Sequence, residues 1–234
     1  MIDISNITNI TNITNITNIT NITNITNKEE LNMATLLYQG HGSFRVTTPE
    51  GKVIYVDPYA GDGYDLPADL ILVSHQHQDH NQLGLIGARN PECEVITEVE
   101  ALKGGKHQTI DLGYVTVEAV EAGNKNHDPA QCVGYILTFS DGVRLYASCD
   151  TSKTAQMESF AQRCFDFAFF CCDGIYNMST EEASECAALV GARHNIPYHM
   201  APGELFNRER AEQFKSENRV ILAAGEEIAL SAAD

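Results

Sequence analysis

Short apolar runs separated by turn residues dominate the chain between residues 36 and 147. Runs of this kind are typical of β-strands, and turn segments such as Pro49-Glu50-Gly51 and Ser140-Asp141-Gly142 favour hairpins between them. The pattern predicts strands over residues 36–38, 44–47, 53–56, 70–74, 95–97, 115–120, 135–139 and 143–147. It predicts two more strands over residues 196–198 and 220–222.

Helical patterns are inserted between groups of these strands. They cover residues 82–89, 98–103, 153–162 and 208–214, and a capping-box pattern at Ser179 and Glu182 predicts a helix that runs to about Val190. Many strands with helices between their groups indicate an α/β fold of two sheets with helices outside. No linker rich in Pro, Gly or Ser divides the chain after Met33, so we predict one domain over residues 33–234.

The beginning of the chain has a different pattern. From Asn6 to Thr26 the triplet Asn-Ile-Thr repeats without a break. A period of three matches neither the 3.6 of a helix nor the 2 of a strand, so the Ile side chains cannot form one apolar face. We therefore predict that residues 1–32 are a disordered, low-complexity tail, and that the working protein begins near Met33.

Four side chains able to bind a metal ion follow the apolar run over residues 70–73. They are His75, His77, Asp79 and His80, all within six residues. On an extended chain residues i and i+2 point the same way, so His75 and His77 can share one cation. After a turn, Asp79 and His80 can face a second cation. A polar loop in solvent would explain one of these histidines easily and all four groups poorly.

Charge and composition narrow the classes of protein. The chain carries 15 Lys and Arg against 32 Asp and Glu, a formal net charge of −17. That balance argues against binding to nucleic acids or to anionic membrane surfaces. No basic segment followed by an apolar one opens the chain, and seven cysteines without a C-x-x-C pair argue against a disulfide framework. We expect a cytoplasmic protein.

The motif His75-x-His77-x-Asp79-His80 resembles the signature of the metallo-β-lactamase superfamily. Two further segments, Gly40-His41-Gly42-Ser43-Phe44 and Cys149-Asp150-Thr151, resemble one branch of it. That branch includes uncharacterised metal-dependent hydrolases and the L-ascorbate-6-phosphate lactonases. The resemblance implies an αββα sandwich, two mixed β-sheets flanked by helices, with a metal site at one edge.

The resemblance also implies the rest of the ligand set. The superfamily pattern assigns His127 as the third imidazole of the first metal, with His107 as a less well placed alternative. It assigns Asp150 as a bridging carboxylate and His199 as a ligand of the second metal. The implied cofactors are two divalent ions, zinc first, with manganese or iron as alternatives. The implied ligands are His75, His77, Asp79, His80, His127, Asp150 and His199.

Three nearby residues leave alternatives open. Asp57 is placed either to orient a metal-bound imidazole or to form a simple turn with Pro58. His41 resembles a superfamily position near the pocket, where it would act as a catalytic residue, but a surface loop histidine is the alternative. Cys149 stands where the superfamily commonly has Gly, and it either packs beside the site or acts as a thiol ligand.

The implied function is hydrolysis of a small, possibly anionic, ester, lactone or phosphodiester by a hydroxide that bridges two cations. Asp79 and Asp150 would orient this hydroxide and carry its proton. One alternative is an iron protein of the same fold with redox or sulfur chemistry. Another is a metal-binding protein without activity.

Overall fold

Two six-stranded β-sheets form the centre of the computed structural model, which describes residues 33–232. The first sheet has the strand order β12-β1-β2-β3-β4-β5. Its strands are β1 Ala34–Gly40, β2 Ser43–Thr47, β3 Val53–Val56, β4 Ala68–Leu72, β5 Arg89–Ile96 and β12 Glu227–Leu230. The predicted tail, residues 1–32, lies outside the described residues.

The second sheet has the strand order β11-β10-β9-β8-β7-β6. Its strands are β6 Thr109–Asp111, β7 Val115–Glu121, β8 Val133–Phe139, β9 Arg144–Ala147, β10 Phe167–Cys171 and β11 His194–Tyr198. Both sheets are mixed. The neighbours β3, β4 and β5 are parallel, as are β9, β10 and β11, while the other pairs are antiparallel.

The two sheets pack face to face around one apolar core. In β1 the buried Leu36 and Tyr38 alternate with half-buried residues, as expected for a strand with one face on the core. Across the interface Phe44 of β2 stacks on Phe169 of β10, with ring centroids 5.0 Å apart. A smaller apolar cluster, which includes Tyr55 and Ile71, covers the other side of the first sheet. The predicted sandwich of two mixed sheets is confirmed.

Helices are few among residues 33–232. The α-helices are α1 Glu98–Ala101, α2 Thr180–Val190 and α3 Arg208–Gln213. Segments of 3₁₀-helix cover Leu83–Leu85, Lys103–Gly105 and Ala155–Arg163. Helix α2 packs against β10, whose five residues are all buried. No helix of this described region is long and apolar enough to cross a membrane.

Several predicted boundaries were wrong. The predicted helix 82–89 is one 3₁₀ turn, since Gly87 bonds to the Tyr64 carbonyl and Arg89 already begins β5. The predicted helix 153–162 is 3₁₀ rather than α. Residues 220–222 do not form the predicted strand. The chain meets β11 there only through an isolated β-bridge at Arg219. Strand β12, which was not predicted, pairs with β1 instead.

Candidate metal centre

The polar side chains singled out in the sequence lie together at one edge of the sandwich. His75 follows β4, Asp150 follows β9 and His199 follows β11, so three strand ends point to the same place. His127 comes from the connection between β7 and β8, and His41 from the tight turn between β1 and β2. Ligands gather at the carboxyl ends of parallel strands because these ends share one edge of a sheet.

Three imidazoles form the group that we call cluster one: His75, His77 and His127. Their candidate ligand atoms all lie within 4.8 Å of one another. The ring centroid of His75 is 4.5 Å from that of His77 and 5.0 Å from that of His127. His75 and His127 are buried, whereas His77 is exposed. Three converging imidazoles leave room for a fourth ligand, which suits a catalytic zinc site.

A second group, cluster two, consists of His41, Asp79, His80 and His199, again within 4.8 Å of one another. The Asp79 Oδ2 atom lies 3.1 Å from His41 Nε2 and 3.8 Å from His199 Nε2. Asp79 is half-buried, and the three histidines are buried. The surface-loop alternative for His41 is therefore wrong, because its side chain is 0% exposed.

Asp150 lies between the two clusters. Its Oδ2 atom is 3.3 Å from His127 Nε2 of cluster one and 3.3 Å from His199 Nε2 of cluster two. Its Oδ1 atom is 3.4 Å from His80 Nε2. One carboxylate thus faces ligand atoms of both clusters, which is the arrangement required of a bridging ligand.

Buried nitrogen and oxygen atoms without hydrogen-bond partners indicate whether this site suits a cation. Within residues 33–232, His75 Nε2, His80 Nε2, His199 Nε2 and Asp150 Oδ1 are buried and have no hydrogen-bond partner. Unsatisfied buried polar groups are rare and costly. Because these four atoms belong to the groups that converge on one another, divalent cations fit the residues present.

The buried imidazoles other than that of His199 hydrogen-bond through Nδ1 to a partner outside the clusters, whereas His199 Nδ1 faces a carboxylate without a hydrogen bond. His75 donates to Ser74 Oγ at 3.0 Å, and His127 donates to Asn124 Oδ1 at 3.1 Å. His80 donates to Asp57 Oδ2 at 3.0 Å, and His199 Nδ1 lies 3.3 Å from Asp173 Oδ2. Such partners set the tautomer that leaves Nε2 free for a metal.

Asp57 belongs to this supporting layer rather than to a simple turn. It is 0% exposed, and it binds the backbone N–H and the hydroxyl of Ser74 as well as His80.

Asp173 and Asn177 were missed by the sequence reasoning. Asn177 Nδ2 donates to Asp150 Oδ2 and to Asp173 Oδ2, at 2.8 Å each. The signal that would have found them is the apolar run 167–171. It forms β10, and Asp173 follows this strand as Asp150 follows β9.

Backbone strain is concentrated at the same edge. Within residues 33–232, five residues other than Gly have positive φ. Two of them, His41 and His199, belong to cluster two, and two more, Asp57 and Cys149, lie next to the clusters. Such strain costs about 1–3 kcal/mol per residue and is found most often at functional sites. Cys149 adopts φ 51°, and its N–H donates to Tyr198 Oη at 2.7 Å. It belongs to neither cluster.

The surroundings keep His75 and Asp150 in their metal-binding forms. At His80 and His199 the carboxylates outweigh burial, Asp150 first in each case, and raise the pKa of both imidazoles. Burial, and then the neighbouring His80, lower the pKa of His75 to about 2, so its ring is neutral at pH 7. Burial alone would raise the pKa of Asp150, but the imidazoles of His199 and His80 outweigh it and hold that pKa well below the ordinary value. A neutral imidazole and an ionised carboxylate are the forms that bind a metal.

A cavity of about 480 Å³ opens above both clusters. Its lining comprises His77, Gln78, Asp79, Asn126, His127, Asp150, Tyr176 and His199. A larger groove of about 720 Å³ lies between the end of α2 and residues 215–219. None of the cluster residues lines it, so it is separate from the candidate metal centre.

The structure therefore brings together every sequence-predicted ligand, with His41 beside them. The alternative His107 is exposed and belongs to neither cluster. Their roles as metal ligands and catalytic groups stay predictions.

Comparison with known proteins identifies the family to which the chain belongs. Residues 35–199 match the family described as the beta-lactamase superfamily domain. A UPF0173 metal-dependent hydrolase from Rubrobacter xylanophilus is 26% identical, over 86% of this chain and 98% of that protein. A solved structure from Parabacteroides distasonis is 28% identical, with a TM-score of 0.67, over 82% of this chain and 93% of the other.

A metallo hydrolase structure from Ignicoccus hospitalis has the same fold, with 21% identity and a TM-score of 0.67, over 86% of this chain and 100% of the other. The matched family covers both clusters and the strands that carry them. This chain belongs to the beta-lactamase superfamily, and it is a metal-dependent hydrolase with the metallo-β-lactamase fold.

Proposed function

We propose that this hydrolase binds two divalent cations and cleaves a small ester or lactone. The position of Asp150 supports this proposal most directly, since its carboxylate faces imidazoles of both clusters at 3.3–3.4 Å. His75, His77 and His127 would hold the first cation, and Asp79, His80 and His199 the second, with Asp150 shared. Zinc suits the imidazole-rich set, and manganese or iron are the alternatives.

The chain's own residues divide the work of hydrolysis. Two divalent cations held close together lower the pKa of a water molecule and polarise a carbonyl oxygen. Asn177 donates to Asp150 Oδ2 and so holds that carboxylate in one orientation. Asp79 is 37% exposed and lines the cavity, which makes it the carboxylate best placed to take a proton from water and pass it to the leaving oxygen.

The cavity lining favours an uncharged carbonyl substrate over a phosphodiester. Among the described lining residues there is no Lys or Arg, the side chains that usually bind phosphate oxygens. The protein's net charge of −17 would further slow the approach of anions. The narrower resemblance to L-ascorbate-6-phosphate lactonases stays a prediction, and this lining argues against a phosphorylated substrate.

Tyr176 supplies the apolar surface of the cavity. The residue is 51% exposed, but its backbone is hydrogen-bonded on both sides. The Tyr176 N–H donates to Asp173 Oδ1 at 2.7 Å, and its carbonyl accepts from Asn124 at 3.0 Å and from Asn126 at 2.8 Å. An exposed aromatic ring on a fixed backbone is suited to packing against an apolar substrate group beside the ester carbonyl.

The central test combines metal analysis with a substrate panel of aryl esters, lactones and phosphodiesters. The wild-type protein is expected to bind two cations and to hydrolyse esters or lactones. His75→Ala and Asp79→Ala are expected to lose bound metal and most activity while remaining folded. His107→Ala, an exposed histidine away from the site, is the matched control. Full metal retention in both variants, or hydrolysis of phosphodiesters alone, would contradict the proposal. A visible spectrum distinguishes bound iron from zinc.

Replacing Tyr176 tests the substrate surface. Tyr176→Ala is expected to lower kcat/KM for an aryl ester by about two- to tenfold, the range of one aromatic contact, with less effect on a methyl ester. Tyr176→Phe keeps the ring and is expected to behave like wild type. Equal losses on both substrates, or no loss on either, would mean that the ring does not select the substrate.

A further inference from the structure

His41 is held at cluster two more firmly than a histidine in a two-residue turn requires. Its N–H donates to the Leu205 carbonyl at 2.7 Å, and its carbonyl accepts from the His199 N–H and from Tyr38 Oη, both at 2.8 Å. The backbone is strained, with φ 54°. These contacts fix the ring 3.8 Å from that of His199, measured between centroids.

The hydrogen bonds of His41 determine which nitrogen faces the site. Its Nδ1 atom lies 3.0 Å from the Glu204 carbonyl, which can only accept, so Nδ1 carries the hydrogen. In the neutral ring Nε2 then presents a lone pair, and it points at Asp79 Oδ2 from 3.1 Å. Two electron pairs would face each other at that distance unless a cation lies between them.

The same orientation is found in the neighbouring histidines. His80 and His199 also turn Nδ1 to an outer partner and Nε2 to the centre of the cluster. Ligand atoms about 2.0–2.2 Å from one cation lie about 3–3.5 Å apart. The 3.1 Å separation of His41 Nε2 from Asp79 Oδ2 agrees with that spacing, as do the separations of Asp150 from His80 and His199.

We propose that His41 is a direct ligand of the second cation. This inference rests on the proposed two-cation function. Cluster two would then bind its cation through three imidazoles, of His41, His80 and His199, and two carboxylates, of Asp79 and Asp150. A positively charged His41 paired with Asp79 is the competing arrangement. The two arrangements differ in the number of imidazoles that bind the cations.

The consequence is a difference between the two halves of the site. Cluster one, with three imidazoles and a shared carboxylate, keeps the low coordination number of a catalytic zinc site. Cluster two, with five protein ligands, would suit a cation of higher coordination number and would retain it more tightly. Water and substrate would then reach the site from the side of cluster one, where His77 is exposed and lines the cavity.

The test compares wild type with His41→Asn and the control His107→Asn. Asn tolerates positive φ, and its amide nitrogen takes the place of Nδ1 and can still donate to the Glu204 carbonyl. This change therefore removes the imidazole nitrogen that faces Asp79 while it keeps the outer hydrogen bond. The measurements are stepwise cobalt binding followed by the visible spectrum, and X-ray absorption of the zinc-loaded protein to count imidazoles. Ligation by His41 predicts that His41→Asn weakens one of the two equivalents by about tenfold or more. It also predicts five imidazoles on two cations instead of six, and a changed cobalt spectrum.

An unchanged imidazole count and cobalt spectrum in His41→Asn would overturn the inference, even if affinity falls, because His41 would then act only by positioning Asp79. If wild type binds a single cation, the two-cation function fails. Loss of one imidazole from that cation in His41→Asn would still support ligation by His41, and no loss would overturn it. Should His41→Asn not fold, His41→Gly gives the same comparison without backbone strain at positive φ.

Discussion

At the scale of single residues, Asp57 organises cluster two without facing it. Its Oδ1 atom accepts the Ser74 N–H at 2.7 Å, and Oδ2 accepts from Ser74 Oγ at 2.7 Å and from His80 Nδ1 at 3.0 Å. Three donors surround one buried carboxylate, so the orientation of the His80 ring depends on an acceptor that only an ionised acid supplies. The turn after β3 is therefore a part of the candidate metal centre.

Asp57→Asn tests this dependence. The amide has nearly the same size but accepts on one atom only, so either Ser74 or His80 loses its acceptor. Affinity for the cation of cluster two is expected to fall by about 10- to 100-fold, as measured by calorimetric titration of metal into the metal-free protein. Asp111→Asn, at an exposed turn that binds the Gly113 N–H, is the control. Wild-type affinity in Asp57→Asn would show that His80 needs no carboxylate partner.

At the scale of elements, helix α2 shows which part of a local capping pattern is formed in the folded protein. Ser179 was predicted to start it, and the Ser179 Oγ atom accepts the Glu182 N–H at 3.2 Å. In the predicted capping box the Glu182 carboxylate would accept from the Ser179 N–H. It accepts from the Lys153 N–H instead. A long-range contact thus uses the side chain that the local pattern had assigned to the cap.

Ser179→Ala is expected to lower the free energy of unfolding by about 1 kcal/mol, the usual cost of losing an N-cap. Ser179→Asp keeps an acceptor at the helix start and is expected to stay near wild type. Denaturant unfolding of the three proteins measures both effects. Because the cap lies outside the two clusters, metal content is expected to stay unchanged. A stable Ser179→Ala protein would mean that the packing of α2 on β10 alone defines the helix start.

At the scale of the whole molecule, the site joins the two sheets. His41 and the segment 75–80 come from the first sheet, while His127, Asp150 and His199 come from the second. Cations bound by both sets, as proposed, would therefore link the halves of the sandwich. Ligands that bind only the folded state stabilise it, by about 2.7 kcal/mol when present at 100 times the dissociation constant.

Removal of metal is accordingly expected to lower the melting temperature. For a domain of this size about 2.7 kcal/mol corresponds to roughly 5–11 °C per site. Melting of the metal-loaded protein with and without a chelator measures the shift. His199→Ala, which has lost a ligand, is expected to respond less than wild type. Equal melting of loaded and stripped wild-type protein would show that the sheets are held by their apolar core alone.

Local patterns were sufficient for a substantial part of this protein. Strand β3 was predicted with correct bounds, and the helix from Thr180 to Val190 was predicted from its capping-box pattern. The group from His75 to His80 could be identified from the chain alone because all four side chains lie within six residues. The fold followed from resemblance, and the comparisons confirm it.

Tertiary structure decided the features that depend on distant segments. Strand β10 is a short apolar run without alternation, which does not distinguish strand from helix, so Asp173 and Asn177 after it went unnoticed. The contact of His41 with Asp79 joins residues 38 positions apart, and no local pattern encodes it. Local sequence determines φ preferences and periodicity, whereas the choice of partner for each strand end and each imidazole is made by packing the two sheets against one core.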